Sequence, residues 1–91
     1  ARRGTHIVVE PRQPVSMEGL AVFAAWSSHA PIGCRVEVRG TTRTYVGLLH
    51  AFNYDKSLLE VWFGGVGIYA YPATQVTILR AEGGDLLMGL P

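Results

Sequence analysis

Hydrophobic and polar residues alternate with a period of two through most of the chain after residue 33. In CRVEVR (34–39) the valines fall on one face and the charged residues on the other, which is the pattern of a half-buried β-strand. Four similar segments follow, separated by short stretches of Gly, Asn, Asp, Ser or Pro that favour turns. The predicted strands cover residues 34–39, 43–53, 58–63, 66–71 and 75–80.

The segment before residue 30 has a different period. Apolar or small residues recur every three to four positions in MEGLAVFAAWSSH (17–29), which predicts a short α-helix. Ser16 is a suitable N-cap, and Pro31 with Gly33 would end the helix. A strand through LAVFAAW (20–26) is the alternative.

Five short strands with tight connections bury a common face only if the sheet curls strongly. Gly47, within the longest strand, fits a sharp bend there, and Gly64-Gly65 fits a two-residue hairpin turn. We therefore expect a mainly β fold, in which a short N-terminal helix precedes a five-stranded, strongly bent antiparallel barrel of the SH3-like or Sm-like kind. The predicted organisation is an extension at 1–15 with a short strand in THIVVEP, a barrel with its helix at 16–80, and a tail at 81–91.

Composition narrows the classes of partner. Hydrophobic residues make up 48% of the 91 residues, which is high for so short a chain and favours self-association. The net charge of +1 does not indicate a polyanion or a membrane surface as partner. No apolar run approaches the ~18 residues of a membrane span. We therefore expect a cytoplasmic protein without a membrane partner.

Residue types that carry catalysis are scattered. Cys34 is the only cysteine, which rules out an intrachain disulfide or a thiolate metal cluster. His6, His29 and His50 lie in separate segments without the spacing of a metal site, and His50 is expected to be half-buried within its strand. No phosphate-binding glycine motif occurs. We predict no catalytic residue, no metal, no cofactor and no enzyme activity.

A more specific signal lies in VEVRGTTRTYVGLLHAFNYDKSLLEV (36–61), which resembles the first motif of the Sm-like family that includes Sm, LSm and bacterial Hfq proteins. Gly47 and Leu49 match the Gly-x-Leu of that motif, whereas Asn53 stands where Asp is usual and Ser57 where Asn is usual. YPATQVTIL (71–79) has an aliphatic last strand without the Arg-Gly or Lys-His of the second motif. The resemblance covers about residues 16–80 and suggests a bacterial or phage member.

The resemblance implies a homo-oligomeric ring of about five to seven subunits that binds RNA through its pore or a face. By position in the motifs, the implied RNA-binding residues are Asn53, Tyr54, Lys56, Ser57 and Arg80, followed by the turn at 71–74. Tyr54 would stack on a base, Asn53 would read a base edge, and Lys56 would hold a phosphate.

Seven of the nine aromatic residues lie between residues 44 and 71. Strand parity sends them to both faces of the sheet, so we interpret them mainly as core and subunit contacts, with base stacking as the second interpretation. Pairing of VGIYAY (66–71) with QVTILR (75–80) of a neighbour would close a ring. The expected interface residues are Tyr69, Tyr71, Val76 and Ile78. The alternative function is a structural or protein-interaction module, encoded by a phage or mobile element, that uses an SH3-like barrel without RNA.

Overall fold

The structure, a computed structural model, describes residues 8–79. It contains one α-helix and one six-stranded sheet. A mainly β fold with a single N-terminal helix is thereby confirmed, whereas the expectations for residues 81–91 and for Arg80 lie outside the described residues. The elements are β1 (Val8–Val9), α1 (Met17–His29), β2 (Arg35–Arg39), β3 (Thr44–Asn53), β4 (Leu58–Trp62), β5 (Ile68–Pro72) and β6 (Val76–Ile78).

Helix α1 begins where the capping pattern predicts. The Ser16 Oγ accepts a hydrogen bond from the Gly19 amide at 3.0 Å, which satisfies one of the unpaired amides of the first turn. The helix ends at His29, and the amide of the C-cap residue Ala30 donates to the Trp26 carbonyl at 2.8 Å. The alternative of a strand through residues 20–26 is wrong. At 13 residues, α1 is too short to cross a bilayer, and within residues 8–79 no helix meets the length and apolarity of a membrane span.

The sheet has the strand order β1-β5-β4-β3-β2-β6. Strands β2 to β5 form an antiparallel meander, and β6 returns to pair antiparallel with β2. The sheet differs from five antiparallel strands because β1 adds a sixth strand, parallel to β5, with Val8 opposite Ile68 and Val9 opposite Tyr69. Val8 and Val9, which lie in the extension for which a short strand was predicted, therefore pair within the sheet.

The long strand β3 is irregular at its centre. Its pairing with β4 shifts register between Leu49 and Ala51, which makes His50 the extra residue of a β-bulge. The expectation that His50 is half-buried is wrong, since its side chain is exposed. The physical reason is that His50 lies on the same face of β3 as exposed Val46, away from the core that buries Gly47 and Leu49.

The connection from β4 to β5 is a 3₁₀ turn over Gly64–Val66, rather than a two-residue hairpin at Gly64-Gly65. Positive φ angles occur at Gly64 (65°) and Gly67 (127°) and not at Gly65. β4 ends at Trp62 because Phe63 leaves the extended conformation, with φ −118° and ψ 41°. The Phe63 amide then donates to the Gly67 carbonyl at 2.9 Å, which closes the longer turn.

The hydrophobic core lies on one face of the sheet. Its most deeply buried side chains come from β2, β3 and β4, and α1 contributes Phe23 at one end. Half-buried Phe52, Phe63 and Tyr71 pack against the same cluster. The buried side chains of that cluster are Phe23, Ala30, Cys34, Val36, Val38, Leu49, Leu59, Val61, Ala73 and Val76.

Candidate functional site

The loop between β3 and β4 carries four of the five residues that the motif resemblance implicates in RNA binding. Asn53 is the last residue of β3, and its Oδ1 accepts a hydrogen bond from the Lys56 amide at 3.1 Å. This contact makes the loop an Asx-type turn. Ser57 completes the turn in the left-handed conformation, with φ 58°. The Asn53 side chain and the Ser57 backbone conformation thus shape the loop, which their sequence position alone did not indicate.

The Lys56 ammonium is also engaged within the chain. Its Nζ donates to Glu10 Oε1 at 2.7 Å and forms an exposed salt bridge with that carboxylate. The hydrogen bond to Glu10 raises the pKa of Lys56, and the charge of Glu10 adds to the effect. Lys56 therefore faces a negative charge from the N-terminal segment, which competes with any phosphate.

Tyr54 is the loop residue with the most open surface. Tyr54 is 67% exposed, and its ring makes a T-shaped contact with Phe23 of α1 at a centroid distance of 5.7 Å. Phe52 lies 6.0 Å from the same Phe23 ring, so α1 and the end of β3 share a small aromatic cluster. An aromatic ring that is positioned by neighbouring rings and largely exposed is suited to stacking.

The four expected interface residues lie on the core face of the sheet. Val76 is buried and pairs with buried Val38, while Ile78 lies opposite Val36 and is half-buried. Val76 is thus used within its own chain and offers little surface to a neighbour. Tyr69 and Tyr71 are half-buried, on the face opposite Ile68 and Ala70 as parity predicts.

Tyr69 and Tyr71 both pack against Phe63, a contact that strand parity alone did not identify. Phe63 lies between three tyrosine rings, at centroid distances of 5.9 Å from Tyr69, 6.2 Å from Tyr71 and 6.3 Å from Tyr45. These four rings and Val66 line an open cavity of about 320 Å³. We call this cavity the tyrosine pocket. It lies apart from the motif loop, whose residues do not line it.

Gly47 makes room for the tyrosine pocket. A Cβ at this position would lie 2.8 Å from Phe63 Cδ1 and 2.7 Å from the Trp62 carbonyl oxygen. The Phe63 ring therefore packs directly on the backbone of β3, which needs a residue without a side chain. Gly47 was expected to mark a bend in its strand, whereas in the structure it allows the Phe63 ring to lie close to the β3 backbone.

Burial raises the pKa of the Tyr71 phenol, and the nearby Tyr69 and Tyr45 add to the rise. The phenols of the pocket therefore interact with one another, and Tyr71 stays neutral at physiological pH. Within the described part of the chain, the residues that line the pocket are all uncharged.

Groups that perform covalent or metal chemistry are not gathered in residues 8–79. Cys34 is buried in the core, and desolvation raises the pKa of its thiol, which keeps it protonated and unreactive. Over the same range, no set of three or more His, Cys, Asp or Glu side chains is placed to hold a metal ion.

Comparison with known proteins adds no relative: no protein-family model, no curated protein and no solved structure matches this chain. Any function must therefore be argued from the residues and contacts described above.

Proposed function

We propose that this chain is a non-enzymatic, Sm-like assembly module that forms a closed homo-oligomer by pairing the edges of its sheet. The observation that carries the proposal is the edge of β6, which has no strand partner on its outer side among residues 8–79. Unpaired edges of this kind are templates for strand addition. The antiparallel meander β2–β5, the return of β6 to β2, and α1 at one end of the core support the Sm-like barrel interpretation.

The direction of one amide at this edge follows from the pairing of β6 with β2. The Leu79 amide donates to the Arg35 carbonyl at 3.0 Å. Since backbone amides alternate in direction along a strand, the Ile78 amide points away from β2 and toward the open edge. This amide is available to a carbonyl of a neighbouring copy.

At the opposite edge of the sheet, β5 is paired with β1 along only part of its length. β1 pairs with β5 over two residues, and Ala70, Tyr71 and Pro72 continue beyond it. A three-residue β6 from a neighbour could use this remaining length or compete with β1 for the edge. In a head-to-tail arrangement the same contact repeats until the ring closes.

The edge proposal is tested with an Ile78→Pro variant. Proline removes the outward amide while β2 keeps its bonds to positions 77 and 79. Ile78→Ala is the matched control, because it also removes the side chain from the core but keeps the amide. Light scattering at micromolar concentration should give five to seven times the 9.9 kDa chain mass for the wild type and Ile78→Ala, and a lower mass for Ile78→Pro. A monomeric wild type would refute the proposal.

RNA binding at the motif loop is the second candidate function, and the exposure of Tyr54 favours it. A Tyr54→Leu variant keeps an apolar contact with Phe23 but loses the stacking face, which contributes ~1–3 kcal/mol per base in single-strand complexes. Salt-dependent binding of short A-rich and U-rich RNAs would be measured for this variant and for an Asn53→Ala/Lys56→Ala double variant. We expect both to bind more weakly than the wild type. Unchanged binding with the oligomer intact would favour the assembly module without RNA.

A further inference from the structure

The tyrosine pocket has a ring arrangement that selects for the shape of its occupant. The plane of Phe63 is inclined at 71° to Tyr45, 69° to Tyr69 and 87° to Tyr71. None of the three tyrosine rings is parallel to Phe63, so Phe63 cannot form a parallel stack with any of them around a flat molecule such as a nucleobase. A compact, roughly spherical group can instead contact several rings at once.

The aromatic side chains that line the tyrosine pocket favour a positively charged ligand. Tyr45, Tyr69 and Tyr71 present electron-rich rings, and the faces of aromatic rings attract cations. Among residues 8–79, no charged side chain lines the pocket. An ammonium group that must donate hydrogen bonds, such as that of lysine, would thus lose solvation without a carboxylate to replace it. A cation without N–H groups has no such requirement.

We propose that the tyrosine pocket binds a quaternary ammonium group, N(CH₃)₃⁺. The methyl groups of this ion spread its charge and make apolar contact with Val66 and the rings, while the charge is stabilised by the ring faces. The volume of the pocket, about 320 Å³, is large enough for such a group together with part of the ligand that carries it. The pocket belongs to a single chain, so this inference does not depend on the assembly proposal.

Two probes of the same shape test the role of charge. Choline carries N(CH₃)₃⁺, whereas 3,3-dimethylbutan-1-ol carries C(CH₃)₃ in its place. In a titration followed by ¹H–¹⁵N NMR, choline should shift the signals of residues 63, 66, 69 and 71 and bind at least about five-fold more tightly than the neutral isostere. Equal or tighter binding of the isostere would overturn the proposal, and so would the absence of any choline-dependent shift.

Matched substitutions locate the site. Tyr69→Leu removes a ring but keeps an apolar side chain, and we expect choline to bind about five-fold more weakly. Tyr69→Phe keeps the ring and should stay within about two-fold of the wild type. Tyr45→Leu, at a position that is 46% exposed, is a second ring deletion with less effect on the core. Tyr54→Leu removes a ring outside the pocket and serves as the control. Choline binding that is insensitive to both pocket variants would refute the assignment.

The source of the ammonium group is distinguished by comparing choline with a short peptide that contains trimethyl-lysine. Binding of the peptide at least ten-fold more tightly than choline would assign the pocket to a modified protein segment, and comparable binding would assign it to a small molecule. The same peptide with unmodified lysine should not bind. If it binds as well as the trimethylated peptide, the proposed selectivity is wrong.

Discussion

A methyl group added at Gly47 should destabilise the fold through steric overlap. The φ angle of Gly47 lies outside the left-handed region, so alanine can adopt its backbone conformation. The added Cβ would nevertheless lie 2.7 Å from the Trp62 carbonyl oxygen and 2.8 Å from both Phe63 Cδ1 and Val61 Cγ1. The carbonyl belongs to the backbone of β4 and cannot move without disturbing the pairing of β3 with β4.

The magnitude follows from two opposing effects. Overpacking of this kind costs about 1–3 kcal/mol, whereas replacing glycine stabilises by about 0.4–1 kcal/mol through the unfolded chain. The expected net loss in the free energy of unfolding for Gly47→Ala is therefore about 1–2 kcal/mol. With a urea m-value of about 1 kcal/mol/M for a small domain, the midpoint should fall by about 1–2 M.

Urea unfolding followed by the fluorescence of Trp26 and Trp62 measures this shift. Gly65→Ala is the control, because no atom lies within 4 Å of its added Cβ, and it should leave the midpoint unchanged or slightly higher. In a Phe63→Leu background the Gly47→Ala loss should be smaller, since one of the three close contacts is relieved. Equal midpoints for Gly47→Ala and Gly65→Ala would refute the steric explanation.

Two further predictions concern the loop and the pocket. Ser57 has a φ of 58°, where a side chain is strained and glycine is not; Ser57→Gly should thus raise the free energy of unfolding by about 0.5–1 kcal/mol, and a lower urea midpoint would contradict this account of the turn. Because burial raises the pKa of Tyr71 above its usual value of 10.0, the folded state holds the phenolic proton more tightly than the unfolded state. The stabilisation is complete below pH ~10 and is lost as the pH rises through the folded-state pKa. Relative to Tyr71→Phe, the wild type should therefore lose stability in urea titrations above pH ~10, and parallel pH profiles would exclude the burial effect.

The sequence predicted elements wherever the structure depends on local contacts. The capping of α1 by Ser16 needs only residues three positions apart, and the strand spans agree with the periodicity within about two residues. The exposure of His50 was mispredicted because it depends on which face of β3 the core covers. The Gly64–Val66 turn was mispredicted because the chain leaves β4 at Phe63, whose ring packs over Gly47, and a period of two does not encode that contact.

The candidate site was harder to predict for a related reason. Parity correctly placed Tyr69 and Tyr71 on one face, but their convergence with Tyr45 depends on Phe63 turning inward over Gly47. The motif resemblance pointed to Asn53 and Lys56, whose contacts with the loop backbone and with Glu10 arise only in the folded chain. A glycine within one strand, followed by an aromatic residue directly after the end of the next strand, is the sequence signal that indicates such a pocket.

The parallel pairing of β1 with β5 imposes an order on folding. Val8 and Ile68 are about 60 residues apart in the chain, whereas β3 and β4 are joined by a loop of only four residues. Short loops close at a lower entropic penalty, so the hairpins of the meander can form first and β1 can dock only onto a completed β5. During synthesis, the strand that leaves the ribosome first must remain unpaired until residue 69 has emerged. The earliest segment of the sheet to be made thus joins it only after the meander β2–β5 has been synthesised.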